Sequence, residues 1–331
     1  MRSDARTPYY PQSLSSTGQP IGANIAISLG APGNTVTATI PRIAGGRIWF
    51  SVDKELSFLL NPGPGLVEPS VFNPADPNIY TNFGFAEFTF NSFQVFANIS
   101  YVDFVSVPVS LTLRETGGRI QHVSGLPENG LQAVCEGLRQ QTTRDGRRWS
   151  SLIVNGPKGQ PLRALSPNSG ILLNPSWFET YYRDYVNQVY SRYASQDLTI
   201  NTQASFGNVK GRVGSAGNLN FGANGIFPRP SARDIFSCST GPFATGSNAA
   251  ANAIIPRLAA AFNRSTLLLG DDLPNDVKPA QYYTNAVTNV SLASLASATK
   301  SEHANTQFLS ALFSHRPRRQ SRWQGLCFPL R

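Results

Sequence analysis

The sequence predicts a mainly β protein with an α/β domain interposed between two β parts. Three observations support this fold class. Only 14% of the 331 residues are charged, and the 28 glycines and 24 prolines are typical of short strands joined by turns. Between residues 21 and 60, apolar and polar side chains alternate as they do in strands. Near Leu131 this alternation gives way to helical spacing.

The β region begins with four predicted strands, each ended by Gly or Pro: NIAISL, TVTATI, RIWFSV and LSFLL. A long proline-rich loop over 61–78 leads into two further strands, predicted over 83–91 and 98–111. Loops of this length next to a site commonly help to shape it. The region from 20 to 118 is therefore predicted to be the first part of a β domain, preceded by a flexible leader over 1–19.

The α/β domain is predicted over 119–270. Its first helix is marked by four apolar residues at helical spacing, Leu131, Val134, Cys135 and Leu138. Ser176 and Glu179 form a capping box, which predicts an aromatic-rich helix running to about Tyr193. A Gly-rich hairpin over 207–221 and a helix over 249–269, with Pro256 as a kink or a start, complete the domain. Residues 271–331 are predicted to return to the β domain, and a wide cleft between the two domains would form a binding groove.

Two acids stand in the predicted strands on either side of residue 95. Glu87 and Asp103 each lie in a run that otherwise avoids charge. If the runs pair as a hairpin folded about Val95, the two carboxylates fall opposite each other on one face. Two facing carboxylates can act as general acid and general base in glycoside cleavage. Spacing alone leaves a second interpretation open, that both acids are unrelated solvent-facing residues of a sandwich strand.

Five segments resemble the glycoside hydrolase family 64 β-1,3-glucanases. They are EFTFN from Glu87, NISYVDFVSVPVSLTL from Asn98, GRIWFS from Gly46, LVEPSVFNPADPN from Leu66 and RLAAAFNRSTLL from Arg257. The resemblance implies a thaumatin-like β-sandwich or barrel and endo-acting, inverting hydrolysis of β-1,3-glucan. It assigns Glu87 as the general acid and Asp103 as the general base.

The same resemblance supplies candidate substrate-binding residues. Thr89 and Asn91 match positions that line the sugar groove of the family, and Asp76 matches an acidic position near its active site. Phe96 and Tyr101 complete the candidate set. No cofactor is expected.

The C-terminus departs from the pattern of the family. After YYTNAVTNV at Tyr282, residues 291–331 follow a different course, polar at first and then rich in arginine, and we predict that they are loosely packed. This departure keeps two alternatives open beside the hydrolase. One is a non-catalytic β-1,3-glucan-binding protein of the same architecture, and the other is a structural protein without a ligand.

Three cysteines, Cys135, Cys238 and Cys327, are too few for a disulfide framework. Two alternatives are open: a disulfide bridge between Cys135 and Cys238, or three buried thiols. Neither cysteine spacing nor neighbouring histidines indicate a zinc site, so no metal is predicted.

The net charge of +9 raises the possibility of nucleic-acid binding, but its distribution argues against it. Five arginines and no acid lie between residues 315 and 331, and a basic tail is not a basic groove. We therefore predict no nucleic-acid partner, and we expect a monomer. No apolar run approaches the eighteen residues of a transmembrane helix, so no membrane partner is predicted. The N-terminus lacks the apolar core of a signal peptide, whereas the family resemblance implies an extracellular location.

Overall fold

The computed structural model describes residues 1–99 and 101–268. Within this part, the chain is mainly β, as predicted, and its strands form five sheets. The chain divides into two compact units, one made of Met1–Glu136 and Ser151–Ser169, the other of Gly137–Ser150 and the described residues from Gly170 onward. The predicted domain boundaries stay a prediction. The predicted β return over 271–331 and the loosely packed tail over 291–331 lie outside the described residues.

The first unit holds four antiparallel sheets, with strand orders β1-β3-β4, β2-β5-β6, β10-β11-β7 and β8-β9. Their strands are β1 (Gln19–Pro20), β2 (Ile43–Val52), β3 (Leu59–Asn61), β4 (Gly65–Val67), β5 (Asn82–Phe90), β6 (Val95–Ile99), β7 (Phe104–Val105), β8 (Leu111–Arg114), β9 (Ile120–Val123), β10 (Ile153–Asn155) and β11 (Pro161–Leu165).

The second unit holds a four-stranded antiparallel sheet of order β12-β13-β14-β15, together with helices. Three helical elements cross the boundaries between the units in sequence: α1 (Gly130–Asp145), a short 3-10 helix at Arg148–Leu152 and α2 (Pro167–Leu173). The remaining elements are α3 (Arg183–Ser195), β12 (Leu198–Asn201), β13 (Asn208–Val213), β14 (Leu219–Asn220), β15 (Ile226–Phe227), α4 (Ala232–Ser237), α5 (Ala249–Asn263) and short 3-10 helices at Gly222–Asn224 and Gly241–Phe243.

Aromatic rings build the core of the first unit on one face of β2 and β5. Trp49 and Phe85 are paired across these strands, with ring centroids 4.8 Å apart. The rings of Phe83 and Phe104 continue the cluster at 5.3 Å. The guanidinium of Arg163, from β11, lies 4.7 Å from the centroid of Phe83 and is fully buried. Large rings of this kind contribute much of the buried apolar area of a small sheet. Because Phe83 and Phe85 are buried in this cluster, the cluster also determines which face of β5 carries the next alternate residues.

The core of the second unit is built by the tyrosines of α3, which pack against α5 and the four-stranded sheet. Their hydroxyls reach backbone carbonyls, as buried tyrosines usually do. Tyr190 donates to the carbonyls of Phe227 and Pro228, at 3.0 and 2.8 Å. Tyr193 donates to the carbonyl of Leu267 at 2.9 Å. These bonds tie α3 to β15 and to the chain after α5.

Several predicted elements are confirmed. The RIWFSV strand is part of β2, and the helical spacing from Leu131 corresponds to α1. The Gly-rich hairpin corresponds to β13 and β14, and the last predicted helix to α5, with Pro256 inside it. Asn248 caps α5 by accepting bonds from the N–H groups of Ala250 and Ala251.

Two of the four early strands are wrong. Residues 24–29 and 35–40 form no strand and pair with no other described strand. Alternating side chains make a strand only where a neighbour supplies the hydrogen-bond ladder, and none of the residues described here supplies one. The same alternation therefore runs through a largely exposed segment without regular secondary structure.

The predicted capping box is also wrong. The helix α3 begins at Arg183, several residues later than Ser176, and its N-cap residue Tyr182 makes no side-chain cap bond. Ser176 instead donates from its hydroxyl to Oδ1 of Asn174 at 2.7 Å. Phe178 has φ of 63°, which is incompatible with a right-handed helix. A helix cannot run continuously through that residue.

For the cysteines, the structure shows buried thiols at Cys135 and Cys238. The Sγ of Cys238 donates to the carbonyl of Ile235 at 3.3 Å. Cys327 lies outside the described residues.

Candidate active site

The candidate site lies on the three-stranded sheet β2-β5-β6, where Glu87 occupies the central strand. The ladder places Arg47 of β2 on one side of Glu87 and Asn98 of β6 on the other. Directly paired residues in antiparallel strands lie side by side on one face. Along β5 the aromatic residues Phe83 and Phe85 precede Glu87 on the same face. The carboxylate therefore stands where the aromatic core gives way to polar side chains.

The predicted pairing of Glu87 with Asp103 is wrong. The hairpin turns over residues 91–94 and not about Val95, which is the first residue of β6. Asn91 closes this turn because its Oδ1 accepts bonds from the N–H groups of Phe93 and Gln94, each at 2.9 Å. The earlier turn shifts the register, so that Asn98 faces Glu87.

Glu87 forms an ion pair with Arg47. Its Oε1 lies 2.8 Å from Nη2 of Arg47 and accepts a bond from Nε at 3.0 Å. Nη1 of Arg47 binds Oε2 of Glu68, which follows β4. All three side chains are partly buried, at 23% exposed for Arg47 and 28% for Glu87. A guanidinium with its planar fork is suited to holding two carboxylates in fixed positions.

Asp103 lies in the bend between β6 and β7, within electrostatic reach of this ion pair. Its carbonyl accepts a bond from the N–H of Ser166 at 2.8 Å, which fixes the backbone of the bend. Burial raises the pKa of the Asp103 carboxyl, the cation of Arg47 opposes that rise, and the charge of Glu87 adds to it. The two acids predicted as catalytic are thus brought into one charged group, by the bend and not by the ladder.

Asp76 organises the loop that precedes β5. Its carboxylate is buried, with 8% of the residue exposed. Oδ2 accepts a hydrogen bond from the N–H of Ser70 at 2.8 Å. Oδ1 accepts two hydrogen bonds from Asn78, one from its N–H at 2.7 Å and one from its Nδ2 at 3.0 Å. Asn78 in turn bonds both backbone groups of Ser57, each at 2.8 Å. Both carboxylate oxygens are therefore engaged within the protein, and a role for Asp76 in holding substrate stays a prediction.

The other predicted substrate-binding residues lie on the same sheet or just beyond it. Thr89 is paired with Phe96 across β5 and β6, and its hydroxyl accepts a bond from the N–H of Gly45 at 3.1 Å. Asn91 closes the turn described above. Tyr101 is partly buried, and burial raises the pKa of its hydroxyl. Thr89 and Phe96 thus lie two residues along the ladder from Glu87 and Asn98, Asn91 lies in the turn and Tyr101 follows β6. Their contacts with sugar stay predictions.

Three residues at the site were missed from the sequence: Arg47, Glu68 and Asn98. Arg47 stands within the quoted GRIWFS segment and Asn98 begins the NISYVDF segment, but neither was considered as a site residue. Arg47 faces Glu87 through the register of β2 and β5, which the sequence pattern does not specify. Nothing in the sequence predicts that Oδ1 of Asn98 is a buried acceptor with no hydrogen-bond partner among the described residues.

In the described part of the chain, no cluster of three or more His, Cys, Asp or Glu side chains could hold a metal ion. Of the helices in the same part, none has the length and apolarity needed to cross a bilayer.

Comparison with known proteins places this chain in a family. A family model of glycoside hydrolases matches residues 1–302, almost the whole chain. The chain belongs to glycoside hydrolase family 64, whose model is described as beta-1,3-glucanase. This confirms the resemblance drawn from the five sequence segments.

Two curated relatives are glucan endo-1,3-beta-glucosidases. One, from Cellulosimicrobium cellulans, is 28% identical over 262 residues. The other, from Arthrobacter sp. (strain YCWD3), is 27% identical over 262 residues. Each match covers 77% of this chain and 46% of the relative, so the chain spans about half the length of the curated relatives that it matches.

Two solved structures resemble this one. A laminaripentaose-producing β-1,3-glucanase in complex with laminaritetraose is 29% identical, with a TM-score of 0.68 over 82% of this chain and 79% of that chain. A β-1,3-glucanase domain from Clostridium beijerinckii is 23% identical, with a TM-score of 0.56 over 76% of this chain and 72% of that chain. The second similarity indicates a shared fold.

Proposed function

We propose that this protein is an endo-acting β-1,3-glucanase that cleaves its substrate with inversion, using Glu87 and Asp103. The proposal is carried by Glu87, which an ion pair with Arg47 holds on β5, and by Asp103 in the bend after β6, where burial raises the pKa of its carboxyl. Membership of family 64, the names of the curated relatives and the relative solved with laminaritetraose support the choice of substrate.

In the proposed reaction, Glu87 donates a proton to the glycosidic oxygen as the bond to the anomeric carbon breaks. Asp103 removes a proton from a water that attacks the opposite side of that carbon, so the product has inverted configuration. A base works best when its pKa lies near the working pH. The raised pKa of Asp103 suits this role, provided that the pH is high enough for the carboxyl to be ionised.

Room for the attacking water sets a geometric requirement. The carboxyl groups of an inverting pair are about 6.5 to 9.5 Å apart, against about 5 to 5.5 Å for a retaining pair. Glu87 and Asp103 are not ladder partners, so the Cβ separation of about 4.5 to 5.5 Å between directly opposed strand residues is not imposed on them.

The first experiment is digestion of laminarin by the parent protein and by the variants Glu87→Gln and Asp103→Asn. Each substitution keeps the shape of the side chain but removes proton transfer, and we expect each to lower kcat by at least about 100-fold. Glu55→Gln, at an exposed acid outside the site, is the matched control. Proton NMR early in the reaction should show the α-anomer of the new reducing end. Substantial activity in either variant, or an initial β-anomer, overturns the proposed mechanism.

A second substrate separates the two roles. A laminari-oligosaccharide with a β-fluoride leaving group needs little protonation, because fluoride is a weak base. We expect Glu87→Gln to hydrolyse the fluoride at a rate near that of the parent, whereas Asp103→Asn should stay inactive. The reverse result would exchange the roles. Binding to curdlan without hydrolysis of any substrate by the parent would identify a glucan-binding protein instead.

The finer features implied by the resemblance belong to this proposal as well. They are a thaumatin-like sandwich or barrel with a wide cleft, a monomeric state and an extracellular location. Light scattering of the purified protein tests the monomer, and fractionation of the source cells and their medium tests the location. The expected absence of nucleic-acid, membrane and cofactor partners stays a prediction.

A further inference from the structure

The guanidinium of Arg47 is held by four neighbours. Glu87 binds Nε and Nη2, and Glu68 binds Nη1 from another direction. The Cζ atom also lies 4.9 Å from the ring centroid of Phe85 and 5.9 Å from that of Trp49. Two carboxylates and two ring faces thus fix a single cation. A side chain held this firmly can in turn hold whatever it binds.

We propose that Arg47, anchored by Glu68, is a positioning residue that fixes the carboxyl group of Glu87 and keeps its cation within electrostatic reach of Asp103 during catalysis. This inference rests on the proposed function, because it gives Arg47 and Glu68 a role in the same reaction. Neither residue touches the reacting atoms in this scheme. Each acts through Glu87 or Asp103.

The second carboxylate explains how Arg47 can serve both acids. When Glu87 carries the proton that a general acid needs, its charge attraction to Arg47 is lost, although its carboxyl can still accept a hydrogen bond from the guanidinium. Glu68 then remains as a partner, so that the guanidinium is neither left without a counter-charge nor free to move away. The cation stays where it can act on Asp103.

The charges that act on Asp103 come from two strands. Arg47 of β2 lowers the pKa of the Asp103 carboxyl and Glu87 of β5 raises it, and both act against a background of burial. Protonation of Glu87 removes the opposing negative charge, while the attraction of Arg47 remains. The same proton that prepares the acid therefore favours an ionised base, which couples the two carboxyl groups in the productive state.

Lysine could not replace Arg47 in this arrangement. An ammonium group is a compact point charge and lacks the planar fork that binds Glu87 through two nitrogens and Glu68 through a third. The ring contacts with Phe85 and Trp49 also suit a flat cation. Arg47→Lys therefore keeps the charge and loses the geometry, whereas Arg47→Met loses the charge and keeps much of the volume.

The test measures pH profiles of kcat/KM on soluble laminari-oligosaccharides for Arg47→Met, Arg47→Lys and Glu68→Gln. Arg42→Met, at an exposed arginine just before β2, removes the same charge and is the matched control.

We expect Arg47→Met to move the midpoint of the acidic limb upward by about one pH unit, because loss of a nearby cation raises the pKa of a carboxyl. Arg47→Lys should retain most of the midpoint but lose about 10-fold or more in kcat. Glu68→Gln should lower kcat with KM unchanged.

A direct measurement complements the kinetics and does not depend on activity. Carbon-13 NMR of the Asp carboxyl groups, with Asp103→Asn used for assignment, follows Asp103 in each variant. An upward shift in Arg47→Met but not in Arg42→Met supports the inference. An unchanged midpoint in Arg47→Met, or an activity loss matched only by a loss of stability, overturns it. Should Arg47→Met fail to fold, a parental kcat in both Arg47→Lys and Glu68→Gln overturns it as well.

The two proposals fail differently. If Glu87→Gln and Asp103→Asn keep their activity, the catalytic pair is wrong and the positioning role of Arg47 falls with it. If both are inactive while the Arg47 and Glu68 variants behave like the parent, only the positioning role is wrong.

Discussion

Asp76 and Asn78 form a buried pair in which one carboxylate oxygen of Asp76 accepts both the N–H and the side-chain amide of Asn78. The other oxygen accepts the N–H of Ser70. The pair thereby holds closed the loop between β4 and β5, the segment that leads directly into the strand of Glu87.

Replacing Asp76 with alanine should destabilise the protein. Three donors would lose their acceptor, and each buried donor left unpaired costs about 1 to 3 kcal/mol. Because water can reach part of the loop, we expect a total loss of about 3 kcal/mol in the free energy of unfolding. Urea denaturation followed by tryptophan fluorescence measures it, with Glu55→Ala as an exposed control. A change within about 0.5 kcal/mol of the parent would show that the carboxylate does not hold the loop.

Arg163 provides a second stability prediction in the first unit. It is fully buried and donates to the carbonyls of Ile79 and Thr81, which lie just before β5. Arg163→Met fills much of the same volume but removes the donor from one buried and one partly buried carbonyl. We expect a loss of about 3 kcal/mol in the free energy of unfolding. Arg119→Met, at an arginine whose side chain is 71% exposed, should change little. Equal stability of the two variants would contradict the assigned role.

The acidic limb of the activity profile should report Asp103. As a base it works only when ionised, so kcat/KM falls as the pH drops through its pKa. Burial raises that pKa, and the midpoint should therefore lie above the ordinary aspartate value of about 3.9. In the inactive Glu87→Gln variant the negative charge of Glu87 is gone, and carbon-13 NMR should find the pKa of Asp103 lower than in the parent. A midpoint at or below the ordinary value would be inconsistent with the buried setting.

Two glycines of the second unit make a matched pair. A Cβ built on Gly211, in β13, would lie 2.6 Å from the ring of Phe221, which is buried, whereas one built on Gly214 would meet nothing within 4 Å. Gly211→Ala should therefore cost about 1 to 3 kcal/mol through overpacking. Gly214→Ala should be close to neutral. Thermal unfolding of both variants decides the matter, and similar melting temperatures would show that the ring of Phe221 can move aside.

Much of the local structure could be predicted from the sequence because it depends on local pattern. The alternation in RIWFSV gave β2, and helical spacing gave α1. The turn of the β5-β6 hairpin could not be placed in the same way. It depends on the side chain of Asn91, which bonds two backbone N–H groups and ends β5 before Val95. An Asn can form such a turn or continue a strand, and the pattern of its neighbours does not distinguish the two.

The start of α3 illustrates a different limit. Ser176 and Glu179 have the spacing of a capping box, but the left-handed backbone of Phe178 lies between them. That ring packs 4.7 Å from the ring of Trp149, in a contact distant in sequence. Tertiary packing thus overrides the local signal.

At the candidate site, residue types were easier to predict than their arrangement. Glu87 and Asp103 stood out as acids in apolar runs, and the resemblance to family 64 added their roles. The spatial relation of the two acids follows from a register and a bend that the sequence pattern does not encode. Arg47 was missed for the same reason, since its importance lies in what it faces across the sheet.

The order in which the chain visits its two compact units has a consequence for synthesis. The chain passes from one to the other after Glu136, after Ser150 and after Ser169. Because a ribosome releases the N-terminal residues first, β7 cannot pair with β11 until residues 137–150 of the other unit have been synthesised. Neither unit can therefore complete its fold before segments of the other have been made, and no single cut in the polypeptide would release either of them whole.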